Sequence, residues 1–171
     1  MSVVLIGPPA AGKSRAGRRL AKVLDVSYVD TDKVIVARHG AIPEIFVEHG
    51  EAEFRRLERD VIAEHLETTE VLSLGGGAVM DAQTQSRLGG HTVILLTATP
   101  AAIAERITGN AKRPLITGIE SWTQIYEARR ETYERLADAT FDTSFRPMVR
   151  VVEDIAEWLE QQTKEGPSDV A

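Results

Sequence analysis

Gly7-Pro8-Pro9-Ala10-Ala11-Gly12-Lys13-Ser14 is the stretch on which the reading of the chain turns. It follows the apolar run Val3-Val4-Leu5-Ile6 and leads into Arg15-Ala16-Gly17-Arg18-Arg19-Leu20-Ala21-Lys22-Val23-Leu24. That is a strand, a glycine-rich turn and a helix, with the spacing G-x-x-x-x-G-K-[ST] of a phosphate-binding loop. Gly12 lets the backbone come close to a phosphate, and successive N–H groups form an anion-binding concavity. The helix that opens there adds the positive end of its dipole. Lys13 has the reach for β- and γ-phosphates, and the Ser14 hydroxyl offers an oxygen to Mg²⁺. Four fixed positions match by accident in many chains, but a strand before and a helix after are the context that separates loop from accident. The stretch predicts a nucleotide site.

Working outward, the 171 residues suit one domain, expected over 1–163, with 164–171 as a flexible C-terminal tail. A net charge of −6 argues against a nucleic-acid binder, which is usually basic. The chain has no cysteine, which excludes disulfides and thiolate metal sites and fits a cytoplasmic location. Val3 to Ile6 is too short for a signal peptide, and no apolar run reaches the length of a membrane span. The partners expected are therefore small molecules, with no nucleic acid and no membrane, and the chain is expected to act as a monomer.

Apolar, β-rich runs alternate with helical patterns, which predicts an α/β fold with a parallel sheet flanked by helices. The runs are Val3–Ile6, Val26–Val29, Val71–Leu74, Thr92–Thr97 and a fifth near Thr140–Thr143. Helices are expected over Lys33–Arg38, Ile42–Val47, Glu51–Leu66, Pro100–Ile107, Trp122–Leu136 and Val152–Gln162. Gly109 to Pro114 is rich in helix breakers and suits a mobile loop. Ligands of open α/β sheets gather at the carboxyl ends of the strands. The phosphate loop, Asp30-Thr31-Asp32 and Gly75-Gly76-Gly77 all follow strands on that rim.

Each of these has a plain reading beside the chemical one. Asp30 stands where it can face a Mg²⁺ held by Ser14. Asp32 can orient an alcohol and accept its proton during phosphoryl transfer, or it can simply cap the helix that begins at Lys33. Gly75 to Gly77 is either a sharp loop or a backbone floor under a compact substrate. Arg55, Arg56 and Arg59 share one helix, so at most two face inward; Arg55 sits beside Phe54 and is spaced to pair with Glu58. Arg113, before Pro114, suits a closing loop that brings charge to the transferred phosphate. Of Arg129 and Arg130, one is expected inward. Arginine forks match carboxylates, which points to an anionic acceptor.

Taken in order, these motifs resemble shikimate kinase from Val3 to about Glu160. The resemblance rests on the phosphate loop, Asp30-Thr31-Asp32, Gly50-Glu51-Ala52-Glu53-Phe54-Arg55-Arg56-Leu57-Glu58, Leu74-Gly75-Gly76-Gly77-Ala78, Arg113-Pro114-Leu115, and Arg129 with Tyr133. It implies a P-loop three-layer α/β/α fold like that of nucleoside monophosphate kinases. The sheet would have five parallel strands, with a substrate-binding subdomain near 32–60 and a lid near 109–120. It also implies transfer of the ATP γ-phosphate to the 3-hydroxyl of shikimate, a step towards chorismate and the aromatic amino acids, with Mg²⁺ as cofactor.

By the same resemblance, Lys13, Asp32 and Arg113 are catalytic. ATP lies against Gly7, Ala10, Ala11, Gly12, Lys13, Ser14, Arg15, Arg106, Arg113 and Arg146, and Mg²⁺ against Ser14 and Asp30. Shikimate meets Asp32, Arg55, Gly75, Gly76, Gly77 and Arg129, with Glu58 in support. Two departures stand out: Arg15 replaces the family's usual threonine, and Arg129 to Tyr133 lacks the family's proline. The four-residue spacing to Tyr133 selects Arg129 over Arg130. The rival readings are a gluconate kinase-like enzyme and a non-catalytic nucleotide-dependent binding module. The second would be expected to lose Lys13, the Mg²⁺ ligand or Asp32, and all are present.

Overall fold

A computed structural model of the chain describes residues 1–108 and 118–165. The elements run β1 (Val3–Ile6), α1 (Lys13–Leu24), β2 (Tyr28–Asp30), α2 (Thr31–His39), α3 (Ile42–Leu66) and β3 (Val71–Ser73). A 3-10 turn over Ala78–Met80 then precedes α4 (Ala82–Leu88), β4 (Thr92–Thr97), α5 (Pro100–Thr108), α6 (Ile119–Leu136), β5 (Ala139–Asp142) and α7 (Met148–Lys164).

The strands form one five-stranded sheet in the order β2-β3-β1-β4-β5, and every pairing is parallel. β1 lies at the centre, with Val4 opposite Leu72 of β3 on one side and Val93 of β4 on the other. Because side chains alternate along a strand, β1 feeds two cores. Val4 and Ile6 pack with Ile62, Leu66, Leu72, Leu95 and Tyr133, on the face covered by α3 and α6. Leu5 packs with Leu20, Ile94, Val151, Val152 and Ile155, on the face covered by α1 and α7. The result is the expected three-layer α/β/α sandwich. Its central strand is buried on both faces, which is why it reads as an unbroken apolar run.

The local differences from the sequence reading have physical causes. β2 begins at Tyr28 rather than Val26, because Asp25 ends α1 in the left-handed region (φ 55°) and Val26 N–H still bonds the Ala21 carbonyl. The cap of α2 is Asp30, not Asp32: an Asp30 oxygen accepts from the Asp32 and Lys33 N–H groups. The two helices expected around Gly50 are continuous apart from that residue, whose φ of 83° breaks the helical run and kinks α3.

The 3-10 turn and α4 went unread. α4 is seven residues long and buries only Thr84 and Leu88, too few for a periodic signal, although Asp81 caps it through the Thr84 N–H. Lys164, expected in the tail, is the last residue of α7. Most of the expected lid lies outside the described residues; of its C-terminal end, Gly118 caps α6 and Ile119 and Glu120 begin it. Among the described residues no helix is long and apolar enough to cross a membrane.

Candidate active site

The loop between β1 and α1 is pressed against the sheet. A methyl placed on Gly7 (φ 142°) would lie 2.2 Å from the Leu96 carbonyl oxygen of β4, so only glycine fits. Three successive carbonyls of the loop are then held from outside. Pro9 accepts from the Trp122 indole at 2.7 Å, Ala10 from Arg106 at 2.9 Å and Ala11 from the Thr143 hydroxyl at 2.7 Å.

Since a planar peptide points its N–H opposite to its C=O, these bonds turn the N–H groups of Ala10, Ala11 and Gly12 to the other side. Ala11 N–H makes a long 3.4 Å bond back to Pro8. The buried Lys13 bonds the Gly7 and Pro8 carbonyls at 2.8 and 2.9 Å, which holds its ammonium against the loop. No local pattern marks the work done by Trp122 and Thr143, which lie more than a hundred residues from their partners.

Arg106 uses its guanidinium on Ala10 and on both the hydroxyl and carbonyl of Thr143, joining the loop to the end of β5. Burial, and the charge of Arg15 beside it, hold its pKa below the usual arginine value. Arg15 is exposed on the first turn of α1. Arg146 lies on the surface, bonded to Asp154 at 2.5 Å. Arg113 falls outside the described residues.

Ser14 donates to Asp30 at 2.5 Å, so a hydroxyl and a carboxylate oxygen meet at the mouth of the loop. Tyr28 donates to the Ser14 carbonyl, and Ser73 to the Lys13 carbonyl, which fixes this start of α1 to β2 and β3. Two adjacent oxygen donors beside a phosphate loop fit Mg²⁺, a hard cation that takes few protein ligands and fills its shell with phosphate and water.

Across the rim lies the three-glycine stretch, and each glycine lies under a different side chain. A methyl on Gly75 would sit 2.7 Å from an Asp32 oxygen and 3.0 Å from one of Glu58. On Gly76 it would meet Pro9 at 3.1 Å and Arg129 at 3.3 Å, and on Gly77 the Arg55 guanidinium at 2.5 Å. The backbone here is a floor that any side chain would fill.

Arg55 is gripped from below by Glu58 at 2.7 Å, with Glu51 at 3.6 Å and the Phe54 ring 5.2 Å away. Burial pushes the Glu58 carboxyl up to about 7; Arg55 opposes this and Asp32 adds to it. Arg129 enters from α6, one turn before Tyr133, whose hydroxyl donates to the Gly76 carbonyl. Burial pushes that phenol up to about 12.

Arg55, Arg129 and Gly77 line a cavity of about 260 Å³, together with Glu51, Met80 and Asp81, three lining residues the sequence reading did not single out. Of the other arginines, Arg56 pairs with Glu53 and Asp60 on the solvent side, and Arg59 fixes Asp81 at 2.8 Å. Arg130 turns outward to Glu127 and Glu134.

The shikimate kinase family model matches residues 9–160 of this chain. Among curated relatives, the shikimate kinase of Rhodococcus jostii (strain RHA1) is 40% identical over 157 residues, covering 89% of this chain and 94% of that protein. The shikimate kinase of Mycobacterium tuberculosis (strain ATCC 25177 / H37Ra) is 42% identical over 173 residues, covering 98% and 97%. Among solved structures, the shikimate kinase of Acinetobacter baumannii in complex with shikimate superposes with a TM-score of 0.89 at 27% identity, covering 97% of this chain and 95% of that one. A gluconokinase from Sinorhizobium meliloti 1021 superposes with a TM-score of 0.63 at 15% identity over 97% of both chains, a likeness of fold alone.

Proposed function

The chain belongs to the shikimate kinase family, and we propose that this cleft transfers the γ-phosphate of ATP to the 3-hydroxyl of shikimate, giving shikimate 3-phosphate and ADP. The observation that carries the reading is the junction at Gly76, where Pro9 of the phosphate loop and Arg129 of the acceptor cavity both close on the space that a side chain there would fill. A phosphate held by the loop and an anion held by Arg129 are thereby brought within reach of each other, and proximity is a large part of phosphoryl-transfer catalysis.

In this reading the loop N–H groups and Lys13 hold the β- and γ-phosphates, with Arg15, Arg106 and Arg146 toward the rest of the nucleotide. Ser14 and Asp30 would hold Mg²⁺, which supplies positive charge to the phosphate oxygens when bound. Arg55 and Arg129 take the shikimate carboxylate in charge-assisted hydrogen bonds. Asp32, beside Gly75, orients the acceptor hydroxyl. As that oxygen attacks the γ-phosphorus, the bond from phosphorus to the ADP oxygen breaks and the hydroxyl proton passes to Asp32. Arg113 is assigned to a lid that closes over the phosphates. We take the enzyme to act as a monomer and to work in the cytoplasm, in keeping with its lack of cysteine.

The test is an ADP-release assay with Mg-ATP and shikimate, gluconate or no acceptor. Turnover with shikimate alone is expected. Turnover with gluconate instead would overturn the acceptor assignment, and silence with every acceptor despite ATP binding would leave a nucleotide-binding module.

A further inference from the structure

Among the described residues Glu58 is the only buried carboxylate, with 1% of its surface exposed. One of its oxygens accepts from Arg55 at 2.7 Å. The other lies across the missing side chain of Gly75 from Asp32: the two oxygens are 3.0 and 2.7 Å from the position a methyl would take there. The charged groups around it come from three helices: Arg55 on α3, Asp32 on α2, and Arg129, next to the protonated Tyr133, on α6, while Glu51 meets Arg55 from the solvent side. Around the buried Glu58, two guanidiniums are therefore matched by two carboxylates, its own and that of the half-buried Asp32.

An acceptor carboxylate that docks on Arg55 and Arg129 draws both cations towards itself and brings another negative charge. Buried like charges are relieved most simply by protonating one of them. We propose that Glu58 is a positioning residue that takes up a proton as the acceptor's carboxylate docks on Arg55 and Arg129. The anion then enters a site whose net charge does not change. The inference rests on the acceptor reading above and adds a proton to it.

Burial has already brought Glu58 close to neutrality, up to about 7, so docking has only a short way to push it. The sign follows from linkage. Docking raises the affinity of Glu58 for its proton, so uptake is largest just above pH 7. It vanishes at acid pH, where the group is protonated beforehand, and at strongly alkaline pH, where it is protonated in neither state. Shikimate's own carboxyl, an ordinary acid, does not titrate in that range. Shikimate affinity should therefore fall as pH rises through the window, by at most about tenfold per pH unit for one proton.

The experiment is calorimetric titration of the full chain with shikimate, without nucleotide, in buffers of differing ionisation heat at pH 7.5. A substantial fraction of one proton should be taken up by the wild type and none by E58Q. Proton-neutral binding to the wild type, or equal uptake by E58Q, overturns the proposal. Should E58Q fail to fold, the wild type decides alone: its shikimate affinity between pH 7 and 9 must fall, and a flat profile overturns the proposal. If the wild type binds ATP but not shikimate, the acceptor reading itself has failed, and the proton with it.

Discussion

The hydroxyl of Tyr133 donates to the carbonyl of Gly76, so the helix that delivers Arg129 is tied to the middle of the glycine floor. Gly76 in turn abuts Pro9 of the phosphate loop, and one bond thus helps to set the spacing between the two proposed binding sites. Tyr133→Phe leaves a half-buried carbonyl without this donor, at a cost of about 0.5–1.5 kcal/mol. Thermal unfolding should report that loss, and steady-state kinetics should show the KM for shikimate rising more than the KM for ATP.

Asp32 is assigned the acceptor's proton and no contact with the nucleotide. Asp32→Asn should lower kcat by about a hundred- to ten-thousandfold, the usual worth of a positioned base. ATP affinity, followed by calorimetry, should be nearly unchanged. Ordinary turnover by this variant would remove Asp32 from the chemistry.

The neighbouring arginines of α6 offer an internal control. Arg129 lines the cavity, whereas Arg130 is exposed and pairs with Glu127 and Glu134. Loss of a charge-assisted hydrogen bond costs about 1.5–3 kcal/mol, so Arg129→Ala should lower kcat/KM for shikimate by about ten- to a hundredfold. Arg130→Ala should leave the same constant where it is.

Two glycine substitutions should fail in different ways. A methyl on Gly77 meets the end of the Arg55 side chain at 2.5 Å, which can swing aside, so Gly77→Ala should fold and bind shikimate poorly. A methyl on Gly7 meets the β4 backbone at 2.2 Å in a left-handed conformation and has nowhere to go. Gly7→Ala should lose at least several kcal/mol, visible as low soluble yield or a much lower Tm.

Glu58 also makes a prediction about stability. Its folded pKa of about 7 lies above its ordinary value of 4.5, so the folded chain holds this proton more tightly than the unfolded chain. Its contribution is therefore most favourable below pH 4.5 and declines as pH rises to about 7, by an amount on the order of 3 kcal/mol. Urea denaturation at pH 5 and pH 8 should show the wild type losing stability relative to E58Q between the two. Equal differences at both pH values would mean that the carboxyl titrates normally.

What the sequence made legible was whatever local pattern could carry. The phosphate loop, the central strands and the glycine floor each declare themselves within ten residues or fewer, because a strand's burial and a loop's glycines are local requirements. The same holds for Arg55 and Glu58, neighbours one helical turn apart. The bonds that brace the phosphate loop were not legible: Trp122 reaches Pro9, and Thr143 reaches Ala11, only after the sheet has brought distant segments together. The short α4 hid for another reason, since two buried residues in seven make no period. Asp32 reads as a cap because Lys33-Val34-Ile35 follow it, but the helix already takes in Thr31 and Asp32, and only the backbone geometry shows that Asp30 caps it.

Asp30 is bound at both ends of its carboxylate: one oxygen receives the Ser14 hydroxyl and the other receives two N–H groups at the start of α2. Two duties on one side chain close the routes by which a position usually drifts. Asparagine keeps a cap and gives up the charge beside Ser14. Glutamate keeps the charge but carries it a methylene too far to cap. At position 30 the helix cap and the proposed metal mouth draw on the same three atoms, and neither asparagine nor glutamate serves both.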